Sequence, residues 1–442
     1  MLFIGNLKAV ISALFLQCLA RPRFSPRPAH GMFNINPACS DFRASPLATH
    51  IAQAIAAAGG WLPFDEFMRL ALYAPGLGYY ARGARTFGLG PGDGSDFVTA
   101  PELSPLFGRA LAAQVAQAFD ETGASEVWEF GAGSGALAAS LLAELERLGR
   151  PAQRYVIVDI SSALRARQQQ RLAAWPQVQW ASALPQALRG VVIGNEVLDA
   201  MPVKLLARLE GRWRERGVAL APAPCMPKTP ETPVNRAQAA IKTEASAMPG
   251  GPFFVWQDRP TNLRPPVEPE EMDASESERG MAADVVTEIH PQAQAFIATV
   301  AERLRAGGAG AAFFIDYGFP EAEYYHPQRR SGTLACHRAH RMDGDPLSAV
   351  GEKDITAHID FTAAALAAQD AGLHVLGYTS QAHFLINCGL PALMEQASLP
   401  ERAAAMKLLA EHEMGELFKV LGLATREWPA LGFAVGDRTH RL

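Results

Sequence analysis

The sequence predicts an α/β fold built on a Rossmann-like parallel sheet with helices on both faces. Apolar strands and amphipathic helices alternate between residues 126 and 198, which is typical of parallel β-α-β units. Glycines crowd the turn after the first of these strands, at residues 131–135, where the chain needs torsions that other residues avoid. The next strand is apolar and ends at Asp159, so an acidic side chain is expected at the carboxyl edge of the sheet.

Residues 1–44 are predicted to be an unstructured leader. They contain a short apolar run at 9–20 and no acidic residue before Asp41. The run is too short to span a membrane, so no stable membrane insertion is expected. An acid-free leader with arginines suits a mitochondrial transit peptide, and hence the mitochondrial matrix. The alanine- and arginine-rich composition equally suits a bacterial protein with an upstream extension, which would be cytoplasmic.

Residues 45–125 are predicted to form an N-terminal helical cap or lid. Helical patterns cover 46–58 and 63–73, and a glycine-rich loop follows at 83–94. Mobile glycine-rich loops commonly lie over binding sites, so this region is expected to face the substrate.

Glu102 has two interpretations. Thr99-Ala100-Pro101-Glu102 spells a capping box, with proline in the first helical turn. An amphipathic stripe from Leu103 to Ala118 predicts one continuous helix after it. Glu102 is therefore interpreted mainly as a helix cap, with a catalytic carboxylate as the alternative.

Residues 126–442 are predicted to form the ligand-binding domain, with an insertion at 203–285. The insertion begins with a β-hairpin at 203–220 and includes a strand at 253–258, outside the core sheet. Eleven of the 32 prolines fall between the hairpin and residue 270. Such a composition buries too little apolar surface to fold, so 221–251 is predicted to be a disordered loop.

The core sheet is predicted to resume after the insertion. A helix over 291–304 leads to a fifth core strand over 311–316. Residues 374–388 and 432–437 are predicted to supply closing strands, with a helical stretch at 401–421 between them.

The glycine loop suits either a dinucleotide or S-adenosylmethionine (AdoMet). Gly131-x-Gly133-x-x-Ala136 satisfies the loose dinucleotide fingerprint. Glu129 stands just before the glycines, and its carboxylate would repel a pyrophosphate but attract the positively charged amino-acid end of AdoMet. Alternatively, Glu129 only caps neighbouring backbone amides. Asp159 is placed to accept hydrogen bonds from the two hydroxyls of a ribose.

A second polar cluster follows the buried-type strand at 191–194. Asn195, Glu196 and Asp199 come directly after that strand, whose end lies beside the first strand in a doubly wound sheet. They are candidates for contacting the methyl donor or its acceptor. Burying a carboxylate at the end of an apolar strand costs free energy, which favours a functional role for Glu196. Asp199 could equally cap a turn.

Taken together, these residues resemble the MidA-like family of class I AdoMet-dependent methyltransferases. That family includes the mitochondrial complex I assembly factor that symmetrically dimethylates an arginine of a complex I subunit. The resemblance extends from about residue 45 to the end of the chain and rests on seven ordered blocks at 96–108, 129–135, 194–202, 287–291, 314–318, 332–337 and 354–361.

The resemblance implies a class I methyltransferase sheet, AdoMet as the cofactor, and a protein substrate such as a respiratory complex I subunit. Glu196 would face the donated methyl and orient an arginine side chain as the first candidate for the catalytic carboxylate. Asp199 and Glu102 are weaker candidates for that role. The residues implied to bind AdoMet are Glu129, Gly131, Gly133, Gly135, Asp159 and Asn195.

Charge and cysteine usage argue against other classes. The net charge of −5 gives no basic field for a nucleic acid. The five cysteines are scattered without a Cys-x-x-Cys pair, so no metal is expected. Three alternatives stay open: a methyltransferase of a small molecule or lysine, a non-catalytic AdoMet-binding assembly chaperone, and a nicotinamide dehydrogenase. Glu129 and the Asn195-Glu196 cluster disfavour the dehydrogenase.

Overall fold

The structure is a computed structural model that describes residues 45–82, 98–159, 162–221, 254–267 and 285–442. Three predicted segments lie outside these ranges. They are the leader at 1–44, the glycine-rich loop at 83–94, and the loop at 221–251 except for its first residue.

The described strands are, in chain order, β1 (Leu62–Pro63), β2 (Glu126–Phe130), β3 (Arg154–Val158), β4 (Val178–Ala181), β5 (Gly190–Asn195), β6 (Lys204–Leu209), β7 (Arg212–Leu220), β8 (Phe254–Pro260), β9 (Val285–Ile289), β10 (Gly310–Phe319), β11 (Ala335–Arg338), β12 (Arg341–Asp343), β13 (Asp354–Thr356), β14 (Ile359–Asp360), β15 (His374–Ser380) and β16 (Phe418–Ala424).

The described α-helices are α1 (Pro46–Ala57), α2 (Phe64–Tyr73), α3 (Ala100–Leu103), α4 (Pro105–Thr122), α5 (Ala136–Arg147), α6 (Ser162–Arg171), α7 (Pro291–Gly307), α8 (Glu321–Tyr324), α9 (Phe361–Asp370), α10 (Gln381–Asn387), α11 (Leu390–Glu395) and α12 (Leu399–Leu409).

The main sheet has the predicted Rossmann-like topology. Its strand order is β15-β16-β10-β5-β2-β3-β4, and β14 pairs with the end of β10. Strands β10, β5, β2, β3 and β4 are parallel, whereas β16 runs antiparallel to β10 and β15. The chain moves outward in one direction from β2 to β4 and then returns to β5. The carboxyl ends of β2 and β5 therefore flank the switch point where such sheets bind ligands.

Helices cover both faces of this sheet, as predicted. Neighbouring residues of one strand, such as Val127 and Trp128, enter different hydrophobic cores. Helices α4, α5 and α10 contribute to the first core, whereas α7 and α9 contribute to the second. Each parallel strand is thus buried on both sides and appears in the sequence as a continuous apolar run.

The predicted closing strands at the C-terminus are partly wrong. The antiparallel strand between β10 and β15 is β16, and its residues 418–421 fall in the stretch predicted to be helical at 401–421. Residues 431–433 form a short 3₁₀ turn instead of a strand, and helix α10 begins directly after β15 ends at Ser380. All seven residues of β16 are buried, so the run lacks the period-two alternation that identifies a strand facing solvent.

The insertion builds a second sheet together with the N-terminal region. Its order is β1-β7-β6-β9, with β8 paired to β7, and the pairings are antiparallel. The predicted hairpin and the extra strand outside the core sheet are confirmed. Leu62, Phe67, Leu205 and Val218 share a third hydrophobic core with α1 and α2.

The helix predicted from Leu103 onward is interrupted. Helix α3 ends at Leu103, and Ser104 caps α4 by accepting a hydrogen bond from Leu106 N–H at 3.3 Å. Pro105 in the first turn of α4 has no N–H to continue the earlier helix. Helix α4 packs in the main-sheet core, so it belongs with that sheet and not with the helical cap predicted over 45–125.

Phe433 offers a test of the corrected C-terminal packing. Its ring lies against Gly377 and Gly422, where an added Cβ would approach to within 2.2 and 2.5 Å of the ring, and it is 6% exposed. We expect Phe433→Ala to lower the free energy of unfolding by about 3–5 kcal/mol through the cavity that it leaves. Urea denaturation checks this against Leu431→Ala, whose side chain is partly exposed. Equal effects of the two variants would contradict the packing.

Candidate functional site

A cavity of about 480 Å³ lies at the carboxyl ends of β2, β3 and β5. Of the nine residues predicted to bind cofactor or to act in catalysis, eight line it: Glu102, Glu129, Gly131, Gly133, Asp159, Asn195, Glu196 and Asp199. The ninth, Gly135, does not line the cavity and is the residue that precedes the first turn of α5 as its N-cap.

The glycine loop needs its glycines for backbone geometry. Gly131, Gly133 and Gly135 have φ values of 63°, 53° and 83°, in the left-handed region that other residues avoid. Gly131 N–H donates to Val158 O at 3.0 Å, which joins the loop to the end of β3. A Cβ at Gly131 would lie 3.2 Å from Val197 Cγ2. The loop therefore presents bare backbone to the cavity, next to the segment that follows β5.

Glu129 is a buried carboxylate at the end of β2. Tyr155 O–H donates a hydrogen bond to Glu129 Oε2 at 2.8 Å. Burial raises the pKa of Glu129 to about 8; the Tyr155 hydrogen bond opposes that rise, and the negative charge of Asp159 adds to it. A cationic ligand group would favour the ionised form, because an opposite charge lowers the pKa of a carboxyl.

Asp159 is held by a residue that sequence analysis missed. Gln168 Nε2 donates to Asp159 Oδ2 at 2.8 Å and to Gly133 O at 2.9 Å. Trp180 Nε1–H in turn donates to Gln168 Oε1 at 2.9 Å, which fixes the orientation of that amide. Gln168 is fully buried and so ties the glycine loop to the end of β3. A lone glutamine on a polar helix gives no motif that could have pointed to it.

Glu196 and Asp199 project from the loop after β5. Asn195 Nδ2 donates to Glu196 Oε1 at 3.0 Å, and Tyr317 O–H donates to Asp199 Oδ2 at 2.6 Å. Burial raises the pKa of Glu196 to about 8, with the charge of Asp199 acting in the same direction. Burial also raises the pKa of Asp199, to about 6. The two acids therefore hold protons more tightly than exposed carboxyls do.

Asn195 carries an unused acceptor. Its Oδ1 is buried and has no hydrogen-bond partner among the described residues, and the same holds for Gln292 Oε1, also in the cavity wall. Buried polar atoms are almost always paired. Two such acceptors facing one cavity indicate that a ligand with hydrogen-bond donors completes it.

The capping box predicted around Glu102 does not form. The Thr99 side chain makes no capping hydrogen bond. The Glu102 carboxylate instead accepts a hydrogen bond from Ser134 O–H in the glycine loop, and Arg171 Nη1 lies 3.5 Å from Glu102 Oε1. Glu102 therefore joins the segment before α4 to the glycine-loop side of the cavity.

The far wall of the cavity contains residues that were not singled out. Tyr73 and Tyr80 stack with ring centroids 5.7 Å apart, and Tyr80 O–H donates to Asp354 Oδ2 at 2.9 Å. Tyr73 O–H donates to Ala200 O at 2.8 Å, which connects this wall to the loop after β5. Asp354 lies within one of the blocks that carry the family resemblance. An acidic residue at the start of a strand in that block is the sequence signal that could have identified it.

Two histidines at the cavity stay neutral near pH 7. The His358 ring stacks on Phe319 with an interplanar angle of 3°. Burial lowers the pKa of His358 to about 4, and the charge of Arg329 acts in the same direction. Burial also lowers the pKa of His337. Neither ring supplies a positive charge at neutral pH.

The cavity is strongly unbalanced in charge. Six carboxylates line it, whereas its described lining includes no lysine or arginine: Glu102, Glu129, Asp159, Glu196, Asp199 and Asp354. Within the described ranges, no group of three or more metal-ligating side chains is arranged to hold a metal ion. No described helix is long and apolar enough to cross a membrane.

The fold and the site together define a class I AdoMet-dependent methyltransferase. The left-handed glycines bring bare backbone to the cavity, and Asp159 follows β3 at the carboxyl edge of the sheet, where such folds bind nucleoside ligands. Buried acids suit a cofactor that carries a sulfonium and an ammonium group.

Comparison with known proteins agrees with this class. Residues 110–379 match the model of a family described as "Putative S-adenosyl-L-methionine-dependent methyltransferase". The chain belongs to this family, and the predicted MidA-like family and AdoMet cofactor are confirmed. A solved structure from Burkholderia thailandensis, bound to S-adenosyl-homocysteine, is 46% identical and has a TM-score of 0.75. The alignment covers 90% of this chain and 96% of that one.

More distant relatives carry a more specific name. The mitochondrial protein arginine methyltransferase of Danio rerio is 26% identical over 375 residues, which cover 78% of this chain and 77% of the relative. The mitochondrial protein arginine methyltransferase of Homo sapiens is 25% identical over 418 residues, covering 86% and 83%.

Gly133→Val tests the cofactor cradle. We expect it to abolish AdoMet binding, because a branched side chain would enter the cavity and φ of 53° is unfavourable for valine. Gly149→Val is the matched control, since Gly149 has φ of 68° but open space around it. Calorimetric titration should find normal affinity in the control. Normal affinity in a folded Gly133→Val variant would contradict the assigned site.

Proposed function

We propose that this protein transfers a methyl group from AdoMet to an arginine side chain of a protein partner. The charge imbalance of the cavity carries the proposal, because six carboxylates without a lysine or arginine among the described lining residues favour a cationic acceptor. A guanidinium stays charged at all physiological pH values and donates two parallel hydrogen bonds to one carboxylate.

In this proposal, the cofactor is held by the sheet edge and the glycine loop. Asp159 binds the ribose hydroxyls, and Glu129 together with the backbone of Gly131 and Gly133 holds the amino-acid end. Bound AdoMet supplies an electrophilic methyl group on a positively charged sulfur. Asn195 offers its free carbonyl oxygen beside Glu196, at the end of β5 where the donated methyl would lie.

Glu196 is the proposed catalytic carboxylate. Its oxygens orient the guanidinium so that one nitrogen lone pair faces the methyl carbon. As the new N–C bond forms, the S–C bond breaks and its electron pair stays on sulfur, which becomes neutral. The proton lost from the methylated nitrogen passes to Glu196, whose raised pKa makes it a competent acceptor. Alignment supplies most of the acceleration in such a displacement.

The neighbouring acids have supporting roles in this proposal. Asp199, fixed by the Tyr317 hydroxyl, adds negative charge near the acceptor nitrogen. Glu102 accepts a hydrogen bond from Ser134 in the glycine loop, so we assign it to holding the cofactor and not to binding the acceptor.

The relatives support the acceptor class. Several vertebrate relatives about a quarter identical to this chain are named protein arginine methyltransferases. The family resemblance extends the proposal to a subunit of respiratory complex I as the partner.

Acceptor analysis tests the proposal. The protein is incubated with AdoMet carrying a labelled methyl and a lysate of cells that lack the protein, and labelled proteins are hydrolysed to amino acids. Label in methylated arginine is the expected result. Label in methyl-lysine or in small molecules would overturn the arginine assignment, and absence of transfer despite AdoMet binding would indicate a non-catalytic role.

Glu196→Gln should separate catalysis from cofactor binding. The amide keeps the shape but loses the charge-assisted pairing, so we expect kcat to fall by about a hundredfold or more, with AdoMet affinity within a few-fold. Glu126→Gln is the control, because Glu126 pairs with Arg154 at the start of β2, away from the cavity. A parallel loss of AdoMet affinity would make Glu196 a cofactor ligand instead.

The pH dependence follows from the same carboxyl. With a pKa of about 8, Glu196 in the free enzyme is mostly protonated at pH 7 and ionises as the pH rises. We therefore expect kcat/KM to rise between about pH 6 and pH 9. Measurement of kcat/KM for the acceptor across this range, with AdoMet saturating so that Glu129 is already paired with the cofactor, should show the rising limb in the wild type and not in Glu196→Gln. A flat profile in the wild type would contradict the assignment.

A further inference from the structure

The loop that presents Glu196 is held in a conformation that its own sequence does not favour. Glu196 has φ of 53°, a left-handed torsion that is unfavourable for a residue with a side chain. Such strain persists only where the surroundings impose the conformation. The contacts around residues 196–199 identify what imposes it.

Four consecutive backbone N–H groups of this loop point at two residues of β10. Glu196 N–H donates to Ile315 O at 2.9 Å. Asp316 Oδ2 then accepts hydrogen bonds from the N–H groups of Val197, Leu198 and Asp199, at 3.2, 2.9 and 3.2 Å. One carboxylate oxygen thus gathers three successive amides, so its position dictates the path of the loop.

Asp316 itself is fixed from the opposite side. Its Oδ1 accepts a hydrogen bond from Tyr317 N–H at 3.0 Å, and its side chain is completely buried. Tyr317 then reaches back to the same loop, because its hydroxyl donates to Asp199 Oδ2 at 2.6 Å. Asp316 and Tyr317 therefore hold the loop by its backbone and by its acidic side chain.

We infer that Asp316 is a positioning residue for methyl transfer, which sets the geometry of Glu196 and Asp199 through the loop backbone without touching cofactor or acceptor. Asp316 is absent from the described lining of the cavity. Burying a carboxylate costs free energy unless hydrogen bonds compensate it, and here the compensation comes from the loop itself. The inference rests on the proposed role of Glu196.

The two acids of the loop in turn act on the carboxyl of Asp316. Burial, and then the charges of Asp199 and Glu196, raise the pKa of Asp316, while its N–H donors favour the ionised form. Two other charged residues lie near this network. Lys419 of β16 is the ladder partner of Asp316 in β10, but its Nζ donates a hydrogen bond to Glu416 O. The charge of Asp354, on the far wall of the cavity, raises the pKa of Glu196.

Asp316→Asn tests this inference. An amide cannot serve all four N–H groups, because its nitrogen is a donor and would face one of them. We expect kcat to fall by about a hundredfold, as for a misplaced catalytic group, with AdoMet affinity kept within a few-fold. Release of the loop should also reduce the burial that raises the pKa of Glu196 and so move the rising limb of kcat/KM to lower pH, a change that loss of stability alone would not cause.

Asp360→Asn is the matched control. Asp360 is also buried, accepts a hydrogen bond from Ala363 N–H at 3.0 Å, and lies at the end of the strand that pairs with β10. It does not line the cavity, so its kcat and pH profile should match those of the wild type. Equal kcat in Asp316→Asn and Asp360→Asn would overturn the inference, and so would a parallel loss of AdoMet affinity in Asp316→Asn.

Tyr317→Phe keeps the test decisive if Asp316→Asn does not fold. It keeps the ring and removes the hydroxyl, with its bond to Asp199 and its contact with Thr356. We expect kcat to fall by about tenfold with AdoMet affinity unchanged; an unchanged kcat would count against the positioning role. The result for Glu196→Gln separates the two proposals. If Glu196→Gln keeps normal kcat while Asp316→Asn loses it, the catalytic role of Glu196 fails and the positioning of the loop stands.

Discussion

An excess of buried negative charge is the constraint on which this site depends. Six carboxylates meet around one cavity, and no lysine or arginine offsets them among the residues described in its wall. Burial and mutual repulsion raise the pKa values of Glu129 and Glu196 to about 8. In the ligand-free protein, bound protons reduce the repulsion between these carboxyls. A cationic ligand reduces the same repulsion by taking the place of the protons. The same feature therefore suits both a sulfonium cofactor and a cationic acceptor.

The fold concentrates these acids by bringing together strand ends that are distant in sequence. Glu129 lies near the end of β2, and Asp159 and Glu196 directly follow β3 and β5. The carboxyl ends of these three parallel strands share one edge of the main sheet. The end of α2, the segment that follows it and strand β13 add the opposite wall, where Tyr80 holds Asp354. Hydrogen bonds from Tyr155 and Gln168 then fix the side chains individually. Precise placement thus comes from ordinary buried polar contacts on a rigid sheet.

Patterns local in sequence predicted the parallel sheet, the glycine loop and the inserted hairpin. Contacts between distant segments decided the rest. Strand β16 is buried on both faces, so its sequence carried no strand periodicity. The capping box at Glu102 was a plausible local motif, but a hydrogen bond from Ser134 competed successfully for the carboxylate. Gln168 acts through partners on three other segments, which no single stretch of sequence reveals.

Proton release on cofactor binding tests the central claim most directly. AdoMet is titrated calorimetrically at pH 7 in buffers with different ionisation enthalpies, and S-adenosyl-homocysteine, which lacks the sulfonium charge, is titrated in parallel. Because carboxyls with pKa values of about 8 must ionise around a cation, AdoMet should release protons, and more of them than S-adenosyl-homocysteine. Binding enthalpies that are independent of the buffer for both ligands would contradict the account.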